Sequence, residues 1–419
     1  MSRKKMYRLL AFIIGTFALL GIVVAVEFRR FSDESDTNLY TEKQLDGAKD
    51  TNKQNTIDQA VSNSLLTDDV AENKEKSEVV PMEEDTSDSD NTDSIVPLPW
   101  EDITLVISGD INLTKVIQNR YDQAGLDGIL EKKFSQELIN ADIALVNQEF
   151  AFTNRGTKAA DKQYTFRTAP EYVQIFKDMG IDIVSLANNH SMDYGIVGLT
   201  DSFDTLNAAG IRYIGAGNNI TEAREIKYVE VKNKKIAFLG ASRVIPVPDW
   251  NAYKNKPGML TTYDPAMLIE DIKTAKAQSD FVVVYVHWGK EGKEYPEDYQ
   301  RSMAKQYIDA GADLVVGSHP HVLQGMEYYN GKPIIYSLGN FMFYSNINRT
   351  ALLKVLINEQ NEAKIELIPG KAENALTYSL EDSSEIDDFY RYMTDISFGV
   401  EFDQNGLVNP MTNSTIEEY

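Results

Sequence analysis

The chain has four histidines in 419 residues, and each stands at or just after the end of a strand-like run. His319 and His321 lie in Gly317-Ser318-His319-Pro320-His321, directly after Ala312-Asp313-Leu314-Val315-Val316. A β-branched run ending in glycine reads as a buried strand that stops at a turn. Two imidazoles one residue apart at such a stop can face one crevice, the usual ligand place of an open α/β sheet. His287 closes Phe281–Val286, and His190 follows Ile181–Leu186 through Ala187-Asn188-Asn189. Carboxylates and amides arrive in the same manner. Ile103–Ser108 runs into Gly109-Asp110-Ile111-Asn112, where the glycine is expected to turn the chain so that Asp110 projects beyond the strand end. Ile143–Val146 runs into Asn147-Gln148-Glu149, and a period of two puts Asn147 and Glu149 on one side.

Such a set has a definite chemistry. There is no cysteine, so thiolate sites, disulfides and a cysteine nucleophile are excluded. A metal here would be held by imidazole, carboxylate, amide or water, a donor set that suits Mn²⁺, Zn²⁺ or Fe. One ion or two are expected. A pair about 3.5–4 Å apart would bind an anionic substrate and turn water into hydroxide. No glycine-rich phosphate loop, dinucleotide fingerprint or Gly-x-Ser-x-Gly elbow is present. The net charge of -23 argues against nucleic acid as a partner. Against that charge, Arg155, Lys158, Lys162 and Arg167 make the loop Asn154–Arg167 locally basic, with only Asp161 opposing.

The elements that must position these groups alternate. Helices are expected over Pro170–Met179, Ile196–Ala209, Asp264–Ala277 and Asp298–Ala310, between the strands named above and the short strand Arg212–Ile214. Ile226–Val231 and Lys235–Leu239 read as a hairpin, and the loop from Val244 to Met259, with Trp250, as a rim of the pocket. Ile334–Phe341, Leu352–Ile357 and Ala363–Ile368 follow, then a helix near Ser384–Met393. Alternation of this kind implies an α/β sandwich, expected over residues 99–370, with 371–419 as a peripheral extension.

The amino end is different in kind. Arg3, Lys4, Lys5 and Arg8 precede an uncharged run from Leu9 to Val26. Eighteen such residues rise about 27 Å as a helix, close to the hydrocarbon thickness. Residues 1–30 are therefore expected to be an uncleaved transmembrane anchor with a cytoplasmic start, a cleaved signal peptide being the alternative. Residues 31–98 hold 18 acidic residues against five lysines and few aromatics, the composition of a disordered, self-repelling tether. The folded part is thus expected on the extracellular side of a cell membrane.

Gly109-Asp110, Asn147-x-Glu149, Asn188-Asn189-His190, His287-Trp288-Gly289, Ser318-His319-Pro320-His321 and Leu338-Gly339-Asn340-Phe341 stand in one order over about Ile103–Phe343. This ordered set resembles that of the CapA/PgsA family of bacterial capsule and poly-γ-glutamate synthesis proteins, which is similar in turn to the calcineurin-like metallophosphoesterases. The resemblance implies a four-layer sandwich, two mixed sheets flanked by helices. It implies that Asp110 and His321 hold one metal, that Glu149 bridges, and that Asn189, His287 and His319 hold the second. His190 would be the acid that protonates the leaving group. Asn112, Asn147, Lys158, Lys162, Arg167 and Asn340 are the candidate substrate-binding residues. Two positions depart from the wider superfamily: Asn112 stands where it has histidine, and Glu149 where it has aspartate. The ligand set of the first ion is thinned by this. The expected function is synthesis, export or tethering of an anionic capsule polymer, beside membrane-embedded synthase subunits. A metal-dependent phosphoesterase acting on a phosphorylated substrate, or a non-catalytic scaffold, are the alternatives.

Overall fold

A computed structural model describes residues 101–160 and 162–411. The anchor expected over 1–30 and the tether over 31–98 lie outside the described residues. Among the described residues no helix is long and apolar enough to cross a membrane.

Two sheets carry the fold. In the first, Ile103–Ile111 is central, parallel to Ile143–Gln148 on one side and antiparallel to Ile347–Ile357 on the other. Ile183–Ser185 and Arg212–Ile214 extend it one way, Ala363–Glu373 and Leu376–Ser379 the other. The second sheet runs in the order Leu323–Tyr329, Lys332–Leu338, Leu314–Ser318, Phe281–His287, Lys234–Ser242, Lys227–Val231. Both are mixed, with parallel and antiparallel pairs in each.

Alternation along the strands divides the apolar side chains into layers. Leu105, Ile107 and Leu145 from the first sheet meet Phe238, Val283 and Val316 from the second in one cluster. The opposite residues of the first sheet, Val106, Ala144, Val146 and Val184, pack with Ile117, Phe134, Phe176 and Phe203 of its covering helices. Those of the second, Leu239, Val284 and Val315, pack with Leu268, Ile272 and Tyr307. The order is helices, sheet, sheet, helices, as expected. Covering a side chain of this size contributes about 1.5–3 kcal/mol, which explains why Phe281–His287, shielded on both faces, has one polar group before its last residue, the Tyr285 hydroxyl, which donates to the Ser108 carbonyl.

Local signals set the boundaries. The helix Asp298–Ala310 opens on a reciprocal Glu297/Gln300 capping box and ends at Gly311, φ +118°. The helix Gly195–Ala209 ends at Gly210, φ +76°. The hairpin turns on Lys232 and Asn233, both at positive φ, as a two-residue turn matched to strand twist requires.

Three expectations are corrected. The first strand does not stop at Gly109: it continues through Asp110 and Ile111, with Ser108 and Gly109 set against the single residue Val146 of its neighbour. This bulge, rather than a turn, aims the carboxylate. The run Ile334–Phe341 is two strands in two sheets: Lys332–Leu338 belongs to the second, and Asn340–Met342 pairs with Ile103–Ile111 in the first. Gly339, φ +59°, makes the crossing. Finally, the stretch from 371 is not peripheral. Leu376–Ser379 joins the first sheet, and the helix Ser383–Ile396 sends Phe389, Tyr390, Met393 and Ile396 into the inter-sheet core.

Candidate metal centre

Parallel strands of both sheets end at one place. Register sets Asp110 beside Asn147 and Asn340 in the first sheet, and His287 beside Ser318 in the second. Glu149 follows the end of Ile143–Gln148, and its amide donates to the Ile111 carbonyl at 2.9 Å. The two sheets touch where the chain crosses: the Asp110 amide donates to the Gly339 carbonyl at 2.8 Å. That approach needs glycine, since a Cβ on Gly109 would lie 1.9 Å from the Gly339 oxygen. His319 and His321 follow the Leu314–Ser318 strand at φ +101° and +59°. Neither is glycine, so the backbone that presents both rings holds strain of the sort found at functional sites.

The Glu149 carboxylate is the middle of the arrangement. It is fully buried, and neither oxygen has a hydrogen-bond partner. Its Oε1 faces His287 Nε2 at 3.5 Å and His190 Nε2 at 3.9 Å; its Oε2 faces His321 Nδ1 at 3.9 Å. Ligand atoms of Glu149, His319 and His321 lie within 4.8 Å of one another, a spacing that could hold a metal ion. His319 Nδ1 is likewise buried without a partner. Asp110 is better satisfied: Oδ1 accepts from Asn147 Nδ2 at 2.8 Å and Oδ2 from the His319 amide at 3.2 Å, with His321 Nδ1 3.6 Å away. On the other side His287 Nε2 lies 2.7 Å from Asn189 Oδ1, and its Nδ1 2.9 Å from Ser318 Oγ. His321 Nδ1 is 2.8 Å from Asn340 Oδ1.

Burial dominates the electrostatics. It pushes Glu149 well above the usual carboxylate range, with the charge of Asp110 adding to the effect. It raises Asp110 too, opposed by His321 and by the bonds from Asn147 and His319. It pushes His319 down to about 3 and His287 well below the imidazole norm, each assisted by neighbouring imidazoles. Neutral His287 and His319 offer lone pairs, and burial outweighs the opposing charges of Lys162 at Glu149 and of His321 at Asp110. The chemistry of this donor set, together with the orphaned Glu149 oxygens and His319 nitrogen, fits a divalent cation.

His190 stands at the edge of this group. Its Nδ1 is 2.7 Å from Asp193 Oδ2, leaving Nε2 toward Glu149, and burial lowers its pKa against the pull of Asp193. Lys162 Nζ lies 2.5 Å from Asp193 Oδ1 and 2.9 Å from His190 Nδ1, bonds the Asn189 carbonyl, and sits 5.4 Å over the Trp250 ring. Phe166 stacks on the His190 ring at 4.2 Å, and Phe343 packs on His321 at 4.8 Å.

Asp110, Glu149, Asn189, His190, His287, His319 and His321 are thus brought together, with Asn147, Asn340 and Lys162 in direct contact with them. Lys158 and Arg167 are exposed, and no contact joins Lys158 to the cluster among the described residues. Asn112 is directed elsewhere, lining a cavity with Arg167. Another cavity, about 270 Å³, opens beside His321 and Asn340, between Glu294 and Arg349. A larger one of about 580 Å³ around Arg120, Lys371 and Tyr378 contains none of these residues. Sequence reasoning left Asp193, Ser318, Asn188 and Phe166 without a role. Asp193 had a signal, lying three residues past His190. Phe166 had none, since an aromatic in a polar loop shows no periodicity.

Comparison with known proteins gives this arrangement its relatives. Residues 104–345 match the family model for the bacterial capsule synthesis protein PGA_cap. The PGA biosynthesis protein CapA of Bacillus subtilis (strain 168) is 37% identical over 62% of this chain and 69% of its own. The capsule biosynthesis protein CapA of Bacillus anthracis is 31% identical over 72% and 76%. Among solved structures, the NAD nucleotidase NadN of Haemophilus influenzae matches with a TM-score of 0.37 at 13% identity, over 73% of this chain and 65% of its own, too slight a likeness to bear on chemistry. The family match spans every residue of the cluster from Asp110 to Asn340, and on that ground this chain belongs to the PGA_cap family of bacterial capsule synthesis proteins.

Proposed function

We propose that this is a membrane-anchored, outward-facing protein that makes, exports or tethers an anionic capsule polymer such as poly-γ-glutamate, through a metal centre. Family membership supports the polymer. The observation that carries the metal centre is the Glu149 carboxylate, buried with both oxygens unpartnered and facing three imidazoles. Asp110 and His321 would hold one ion and Asn189, His287 and His319 a second, with Glu149 between them. A bound cation would supply Lewis acidity and a water activated at neutral pH. His190, held by Asp193 and Lys162, would pass a proton from Nε2. The membrane-embedded synthase subunits of such a system are its proposed partners, and the amino-terminal run its anchor.

The test is complementation of a capsule-deficient host with His319→Ala/His321→Ala, with metal analysis of the purified chain alongside. Loss of bound metal together with loss of surface polymer is expected. Full polymer production by the double variant would leave a scaffold role and end the metal-dependent reading. The His190–Asp193 pair favours one further reading, a metal-dependent phosphoesterase. Turnover of simple phosphodiesters with Mn²⁺, lost in His190→Ala, would support it, and no turnover would remove it.

A further inference from the structure

On the His190 side of the cluster lies a cavity of about 390 Å³, and its lining is unusual for so acidic a chain. Lys115 and Arg167 line it with Asn112, Asn154, Phe166 and Tyr194, and no carboxylate is among its lining residues. Neither cation is in an ion pair with the described carboxylates. Arg167 lies 4.5 Å over the Tyr194 ring, and Lys115 has Gln118 Oε1 at 3.4 Å and the Tyr172 ring at 5.9 Å. Arg155, Arg224 and Arg301, by contrast, all hold carboxylates. The cavity also shares a wall with the cluster, because Phe166 lines it and stacks on His190.

We propose that this cavity is a separate anion subsite, in which Arg167 and Lys115 hold a side-chain carboxylate of an acidic polyamide. The neighbouring segment of that polymer would lie across Phe166 toward Glu149, His319 and His321. This rests on the reading of that cluster as the working centre of a polymer-handling protein. A guanidinium takes a carboxylate in two parallel bonds, and an aromatic face under it fixes the plane of the fork. The amides of Asn112 and Asn154 donate and accept, which matches a chain whose every repeat carries an amide. A phosphate would use the same cations and accept from the amide nitrogens, but it brings no N–H for the amide oxygens. The site also answers a problem of charge: a net charge of -23 repels a polyanion, so local cations without carboxylate neighbours are what would let it settle.

The test uses the full chain in detergent micelles and three probes: a γ-linked glutamate decamer, its γ-linked glutamine counterpart, and inorganic phosphate. The acidic decamer is expected to bind, more weakly as salt rises, and the neutral one not to bind. Arg167→Gln with Lys115→Gln should weaken the acidic decamer at least tenfold with metal content unchanged, and Arg167→Lys with Lys115→Arg should recover most of it. Equal affinity in the Gln pair overturns the subsite. So does Arg167-dependent binding of phosphate without the decamer, which would mean a phosphorylated ligand. Binding of the decamer through Arg167 by metal-depleted chain supports a subsite separate from the metal centre, whereas a purified chain that holds no metal ends the metal reading and leaves the subsite standing, so the two fail separately.

Discussion

Glu149 is a carboxylate that the fold buries and then leaves without a donor. Without a cation it should hold its proton to higher pH than in the unfolded chain. From about 4.3, the ordinary glutamate value, up to the raised folded value, the native state binds more protons, so stability falls as pH rises. The buried imidazoles act with the opposite sign, but only up to about pH 6.5, where the unfolded chain stops taking protons that the folded chain refuses. Above 6.5 the imidazoles no longer contribute, and a carboxylate that still holds its proton costs up to about 1.4 kcal/mol per pH unit, against which the lowered Lys162 works in the opposite sense. In metal-depleted protein Glu149→Gln should therefore remove a component of the melting temperature that falls as pH rises above about 4.3, and Mn²⁺ or Zn²⁺ should suppress that component in the unmutated chain. An unchanged slope in Glu149→Gln would contradict this account.

At the scale of elements, two glycines with different duties can be set against each other. Gly109→Ala drives a methyl into the Gly339 carbonyl and cannot be relieved by turning a side chain, because the obstacle is backbone. It should destabilise by about 1–3 kcal/mol or more and lower metal content, since Asp110 is its neighbour. Gly210→Ala meets nothing within 4 Å and has only its positive φ to answer for, so about 1–2 kcal/mol with metal content intact is expected. Chemical denaturation and metal analysis on both variants would check the contrast; equal metal loss would mean that the crossing does not position the site. The same comparison marks what was legible in the sequence. Strand-terminal histidines and carboxylates were readable because a buried strand has a composition and an end. The reason for Gly109 was not, because it lies in a carbonyl 230 residues away in the chain. The crossing at Gly339 was hidden for a similar cause, since Ile334–Phe341 carries no charge and is buried throughout, so nothing in it marks where one sheet ends and the other begins. Asn112 shows the limit of reading by motif: it follows Asp110 by two residues, but its side chain lines the neighbouring cavity. The C-terminal helix was seen, but its polar exposed face concealed that Phe389 and Met393 reach the inter-sheet core.

For the whole molecule, the passage of the chain from Lys332–Leu338 to Asn340–Met342 means that the sheets are sewn together at the very spot where the ligands gather. A cation there would act as a rivet through the seam. The Asp110 amide, bonded to Gly339 across the seam, and the His319 amide, bonded to the Asp110 carboxylate, should then open in one event. Hydrogen exchange at both is expected to slow together when Mn²⁺ or Zn²⁺ is added, and independent responses would show that the seam is loose. If they move together, loss of the ion would be felt as parting of the two halves of the fold, and a cell could inactivate this protein by starving it of metal without touching its surface.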